Sequence, residues 1–283
     1  MAKVKNRKKR LIIVLCSVLF FVVSVLGVLE LGCIYTAHSW THFYPDYPKV
    51  DIMPTLQKAE LTEADYELLY RQTGLTKLGI DGLLEKEDFT TILDIQEFFF
   101  KKQEVIVNRF NPFTYDEKIK DIAPMARLED GDILVTATTR VSWFRYGHAA
   151  LVVDGEAETV VESISPGSLS TYNDASDFSK LANFMILRPK ADAETKAQVV
   201  EYAKNNLVGL PYRFTVGIFF PKFPETLKKT QCAHLVWYAY KKFGIDLDSD
   251  GKGIVKPPDM ARSEHVEVVQ AYGFDLDALW SKS

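Results

Sequence analysis

Cys232, at the head of the run QCAHLVWYAYKKFG, and His148, at the head of GHAALVVDG, are the side chains best suited to nucleophilic chemistry, and Glu162 of VVES makes a third. A thiol attacks as its thiolate, and a neighbouring imidazole can take the proton. A carboxylate that accepts a hydrogen bond from one imidazole nitrogen fixes the tautomer and leaves the other nitrogen to act as base. Of the three Cys, Cys16 lies inside an N-terminal apolar run and Cys33 just beyond it, so Cys232 has no partner for a disulfide in an exterior domain. The competing reading of such a thiol is a small buried hydrophobe.

The elements around these residues decide between the readings. Thr230 and Gln231 stand where a helix begins, and Leu235, Val236, Ala239, Tyr240 and Phe243 continue it as an apolar stripe that predicts a helix over Gln231–Phe243, closed by Gly244. Cys232 is then at the helix N-terminus, where the dipole favours thiolate and unpaired N–H groups can hold an oxyanion. His234 is two residues further on, roughly 200° around the helix, and reads as structural. On the other side, a three-residue turn at Asp154, Gly155 and Glu156 would pair Val153 with Ala157 and His148 with Glu162, on one face of a hairpin. A two-residue turn would send Glu162 to the opposite face, and a five-residue loop would restore it.

Further along the chain, LEDGDILVTATT, GHAALVVDG, ETVVESI and NFMILRPK read as strands of an antiparallel sheet, followed by a helix over Asp192–Leu207 and the Cys232 helix. Sheet followed by helices indicates an α+β fold. Before Leu128, LTEADYELLYRQTGL carries a Thr62/Asp65 capping pattern and a Gly74 stop, a second helical pattern covers about Phe89–Phe110, and a third, shorter one follows Thr114. WTHFYPDYP ahead of them reads as a stalk near the membrane interface.

At the start, six basic residues within MAKVKNRKKR precede the uncharged run Leu11–Leu29, which at about 1.5 Å per residue reaches across a bilayer core. The next Lys or Arg is Lys49, so the positive-inside rule places the tail in the cytoplasm and the bulk of the chain outside. A cleaved signal peptide would have a shorter apolar region and small residues at its end, where this chain has Glu30 and Leu31, and an uncleaved anchor is favoured. The expected organisation is a cytoplasmic tail at 1–10, a transmembrane signal-anchor at 11–34, a stalk and helical subdomain at 35–125 and a catalytic domain at 126–283. The formal net charge is −4, and without the six basic tail residues it is −10, which argues against nucleic acid or anionic lipid headgroups as partners. Asp246, Asp248, Asp250 and Gly251 match the first half of a calcium loop, but Pro257 stands where its bidentate Glu belongs, and a solvated loop is the default.

The ordered set GDILVT, GHAALVVDG, VVES, GLPYRF, QCAHLVWYAYKKFGIDL and KPPDMARS, spanning roughly Leu128 to Ser263, resembles the circularly permuted branch of the NlpC/P60 papain-like superfamily, near the YiiX/YycO-like proteins. The order His before Cys is the specific part of the likeness. Relatives often carry Ser after the Cys, where this chain has Ala233. The resemblance implies a permuted papain-like domain in which Cys232 is nucleophile, His148 base and Glu162 the polar third member, with no cofactor or metal. It also places Tyr212 beside the active site; a packed core Tyr is the other reading. Trp143 and Phe144, near His148, could line an apolar groove or simply pack. The expected activity is a membrane-anchored, extracytoplasmic cysteine peptidase or amidase working through a thioester on cell-wall peptides. The alternatives are a lipid amide or ester hydrolase or acyltransferase resembling lecithin-retinol acyltransferases, and a non-catalytic binding module.

Overall fold

The computed structural model describes residues 2–36, 42–109, 114–141 and 144–279. Helix α1 (Ala2–Thr36) contains a stretch, Arg7–Gly32, long and apolar enough to cross a membrane, with mean hydropathy 3.1 and none of it buried; a signal sequence near an N-terminus can also meet that standard of length and apolarity. A helical segment follows: α2 (Met53–Leu56), α3 (Glu63–Thr73), α4 (Lys77–Leu84) and α5 (Phe89–Phe100). Thr62 and Asp65 form the expected reciprocal cap on α3. Gly74 ends that helix at φ 73°, where a Cβ would lie 2.1 Å from the Ala271 carbonyl oxygen, so chain reversal and close packing both need glycine.

Strands β1 (Val105–Arg109), β2 (Thr114–Ile119), β3 (Ile133–Thr136), β4 (Arg140–Val141), β5 (Phe144–Arg145), β6 (His148–Asp154), β7 (Thr159–Glu162) and β8 (Thr171–Asp174) come next, then α6 (Ser176–Ser179), β9 (Phe184–Pro189), α7 (Ala193–Asn206), α8 (Cys232–Lys241), α9 (Pro257–Ala261) and β10 (Val266–Tyr272). They form a six-stranded antiparallel sheet, β10-β9-β3-β6-β7-β8, and a smaller sheet, β1-β2-β4-β5. The α+β class with antiparallel sheets and an N-terminal apolar helix is therefore as the sequence indicates.

Both faces of the large sheet are buried, and strand alternation divides its side chains between two cores. Ile133, Val135, Ala149, Leu151, Val153 and Val161 point into a core with α7 and α8. Leu134, Ala150, Val152, Val160 and Ile186 point into a second core with Leu69, Ile80, Ile92, Ile95 and Phe99 of α3–α5. The front helices thus cover a sheet face instead of forming a core of their own.

Three expectations are corrected. The second helix stops at Phe100, because the β-branched run Val105-Ile106-Val107 favours an extended strand. The helix expected after Thr114 is strand β2, which is held between β1 and β4 by paired ladders, so tertiary pairing overrides local pattern. The stalk, where described, lies against the domain: His42 is buried and hydrogen-bonds through Nδ1 to the Ala182 carbonyl at 2.5 Å, Phe43 N–H donates to Gly273, and the Tyr44 hydroxyl bonds Gln103. Trp40 and Thr41 lie outside the described residues.

Candidate active site

Cys232 is the first residue of α8, with Gln231 as N-cap. The Gln231 side-chain oxygen accepts from the Ala233 N–H at 3.0 Å and from the Cys232 thiol at 3.2 Å, while its amide nitrogen donates to the Val255 carbonyl at 2.7 Å. One side chain therefore closes the helix end, holds the thiol and ties both to the segment before α9. The stripe behind Cys232 is buried throughout α8, which packs on β6 and fixes the direction of the helix. Cys232 itself is 3% exposed. At the first helical position its backbone N–H has no acceptor within the helix.

His148 and Glu162 share a face of the sheet, but not as directly opposed residues. The loop between Asp154 and Thr159 has four residues, organised by the Asp154 carboxylate accepting from Ala157 N–H at 2.9 Å. That loop alone would set Glu162 opposite Leu151, on the α8 side of the sheet. A β-bulge between Val152 and Asp154 shifts the ladder by one and sets Glu162 opposite Ala150, two residues from His148 on the same face. The carboxylate therefore meets the ring diagonally.

Glu162 Oε2 is hydrogen-bonded to His148 Nε2, and Glu162 Oε1 accepts from Asn173 Nδ2 at 2.6 Å. Phe178 stacks on the imidazole, with ring centroids 5.7 Å apart. With Nε2 engaged, Nδ1 is the ring nitrogen left over, and Cys232 is close enough to act on the ring. His148 is the first residue of β6, so its ring lies at the end of the sheet, where the N-terminus of α8 comes within reach. Burial opposes protonation of the ring, but the Glu162 charge and the hydrogen bonds to Cys232 and Glu162 outweigh it and hold the imidazole pKa well above its usual value. Burial likewise opposes ionisation of Glu162, yet His148 and Asn173 leave its pKa below the ordinary carboxylate value. Both shifts favour the ion pair.

Among the other residues singled out, Tyr212 is bridged to Thr230, two residues before the thiol, and burial and the proximity of Cys232 and Tyr146 push its pKa up. Phe144 is exposed and lines both the small cavity that includes Cys232 and a larger one beside it. Trp143 lies outside the described residues. His234 is committed elsewhere: Nδ1 meets the Thr230 hydroxyl at 3.0 Å, Nε2 meets the Lys222 carbonyl at 2.8 Å, and burial lowers its pKa to about 4.

Sequence reasoning missed Asn173, Phe178, Tyr146 and Asp116. Asn173 and Phe178 reach the site through β8 and α6, and no local spacing connects them to His148. Tyr146 was within reach, since a residue two before a catalytic strand position lies at the same end of the sheet. Asp116, on β2, is buried near His148, accepts from Thr138 Oγ1 at 2.5 Å, and has its pKa raised by burial. For metals, the carboxylates that converge among the described residues are Asp248, Asp250 and Asp259, not the sequence triplet Asp246, Asp248 and Asp250. Asp246 is turned to Trp237 Nε1 at 2.7 Å and Lys241 Nζ at 2.6 Å. Lys222 pairs with Asp248, and Lys256 with Asp250 and Asp259, so ammonium groups already supply positive charge there.

Searched against family models, curated proteins and solved structures, the chain finds no match.

Proposed function

We propose that this chain is a membrane-anchored cysteine hydrolase that cleaves an amide or ester through a thioester on Cys232, with a domain related to the permuted papain-like arrangement. The observation that carries this reading is a single imidazole bonded to Glu162 through Nε2 and interacting with Cys232, whose thiol opens helix α8. A buried His without a chemical role needs neither partner in that arrangement.

In the proposed reaction Cys232 sulfur, its proton passed to His148, attacks the carbonyl carbon. The developing oxyanion is met by the Cys232 N–H and the positive end of α8. His148 then protonates the leaving amine or alcohol as the carbonyl–heteroatom bond breaks. Water, deprotonated by His148, attacks the thioester, and the acid leaves as the thiol re-forms. Glu162 keeps Nδ1 turned to sulfur throughout.

The tail's six basic residues and their absence from the segment following the apolar run orient the catalytic domain to the exterior. That address and the resemblance support wall peptide as substrate; an apolar groove at the site favours lipid. The test is alkylation of Cys232 by iodoacetamide in the full chain, together with fragment release from purified peptidoglycan. Enzyme chemistry requires alkylation to slow at least tenfold in His148→Ala. Fragments made by the unmutated protein and not by Cys232→Ala establish a wall hydrolase and identify the bond. A thiol equally inert in both proteins would leave a binding module.

A further inference from the structure

The larger cavity beside the thiol has a volume of about 350 Å³, within the range of small-molecule pockets. Its walls include Val141, Phe144, Pro166, Tyr212 and Phe214, and no charged side chain is among its lining residues. The ladder positions Thr114↔Val141↔Phe144 cross β2, β4 and β5 in one row, so the small sheet supplies one wall as a continuous strip. Phe144, Tyr146 and Phe214 are shared with the smaller cavity of about 60 Å³ that contains Cys232. The two cavities therefore adjoin, with the same three aromatic rings bordering both.

The remaining wall is Leu29, which belongs to α1 and lies inside its membrane-crossing stretch, near the end that faces the domain. Next to it, Glu30 accepts from Arg109 at 2.7 Å and from the Tyr115 hydroxyl at 3.2 Å, fastening α1 to the β1–β2 sheet. Phe144 and Phe214 of the cavity lining are exposed, and Ile218 and Phe219, four and five residues after Phe214, are exposed as well, Phe219 to 78%. Large apolar side chains left open beside a membrane helix match a bilayer surface better than water.

We propose that this groove holds an acyl chain of a membrane lipid drawn from the leaflet into which α1 emerges, so that the substrate class is a long-chain ester or amide. The inference rests on the reading of Cys232 as nucleophile. The observations favour it over a wall peptide, whose charged groups would be desolvated against a wall that offers no charged partner and only the hydroxyls of Thr114, Tyr146 and Tyr212. With a lipid ester, sulfur bonds to the acyl carbon, the bond from that carbon to the headgroup-side oxygen breaks, and the released alcohol takes the proton held by His148. One water then cleaves the thioester, yielding a free fatty acid and restoring the thiol.

The experiment uses the full chain in phospholipid nanodiscs with p-nitrophenyl butyrate, octanoate and laurate. Each added methylene buried in the groove should raise kcat/KM by roughly fourfold, so octanoate should exceed butyrate by about 250-fold. Phe144→Asp should flatten that dependence at least tenfold, and Leu29→Ala, which leaves α1 apolar, should flatten it severalfold. Equal cleavage of butyrate and laurate, or no ester cleavage by a protein whose Cys232 alkylates in a His148-dependent way, would overturn the lipid class and leave the cysteine chemistry standing. An inert thiol with no cleavage of any ester would overturn both.

Discussion

At the scale of single residues, the candidate site depends on Glu162 having two partners. One carboxylate oxygen holds His148 and the other is held by Asn173, so the ring's orientation is set at one remove from the thiol. Glu162→Gln should lower kcat by roughly a hundredfold with folding retained, since the tautomer and orientation of a general base are what such a carboxylate fixes. The same variant should lower the His148 pKa, readable by NMR titration of the ring. The sign of the stability effect follows from the two shifts. His148 is raised, so its contribution is complete below the free imidazole pKa of about 6.5 and is lost as pH rises through the folded value; Glu162 is lowered, so its contribution is complete above about 4.3 and is lost as pH falls. The stability difference between wild type and Glu162→Gln should therefore peak between about pH 4.3 and 6.5 and shrink on both sides, as measured by urea unfolding across that range. Asn173→Leu should act more weakly. Losing a hydrogen bond to a charged group, worth about 1.5–3 kcal/mol, should raise the Glu162 pKa and move the acid limb of the kcat profile upward.

At the scale of elements, the hairpin β6–β7 shows how the His148–Glu162 pair is placed by irregularity. A four-residue loop and one bulge act together, and either alone would put Glu162 on the face occupied by α8. The strand's start is equally constrained: Gly147 has φ 74°, and a Cβ there would lie 2.4 Å from the Thr136 carbonyl oxygen. Gly147→Ala should cost about 1–3 kcal/mol by thermal unfolding and reduce activity further by displacing His148. The Cys232 helix was legible because a buried amphipathic stripe with a polar residue before it and a Gly after it is a local pattern. The register was not legible, because bulges and loop length depend on contacts made across the sheet. Strand β2 was missed for a related reason: Asp116 and Glu117 are buried in it, and Glu117 is paired with Arg140 at 3.2 Å and Arg145 at 2.7 Å from neighbouring strands.

At the scale of the whole molecule, the sheet is a wall with a core on each side. Residues before 126 supply the helices that cover one face, including Leu69, Ile80, Ile92 and Phe99. A chain beginning at 126 should therefore lack a cooperative thermal transition and aggregate, whereas one beginning at 42 should unfold cooperatively, as read by circular dichroism. The two faces serve the site differently. The α7–α8 side sets the height of Cys232, and the α2–α6 side holds the face on which His148 and Glu162 stand, with Phe178 against the ring. The thiol and its partner thus come from opposite layers and meet at the sheet's end.

The sequence by itself determined what depends on near neighbours: the apolar length of α1, the caps of α3 and α8, the alternating strands, and three side chains of the right chemistry for an acyl transfer. Hydrophobic period and capping chemistry act over a few residues, so one chain suffices to read them. The tertiary structure alone decided the bulge that restores the His148–Glu162 face, the Asn173 and Phe178 contacts, and the apolar groove closed by Leu29. Each of these joins segments far apart in the chain, and their meeting is set by packing of the whole fold, which no local pattern encodes.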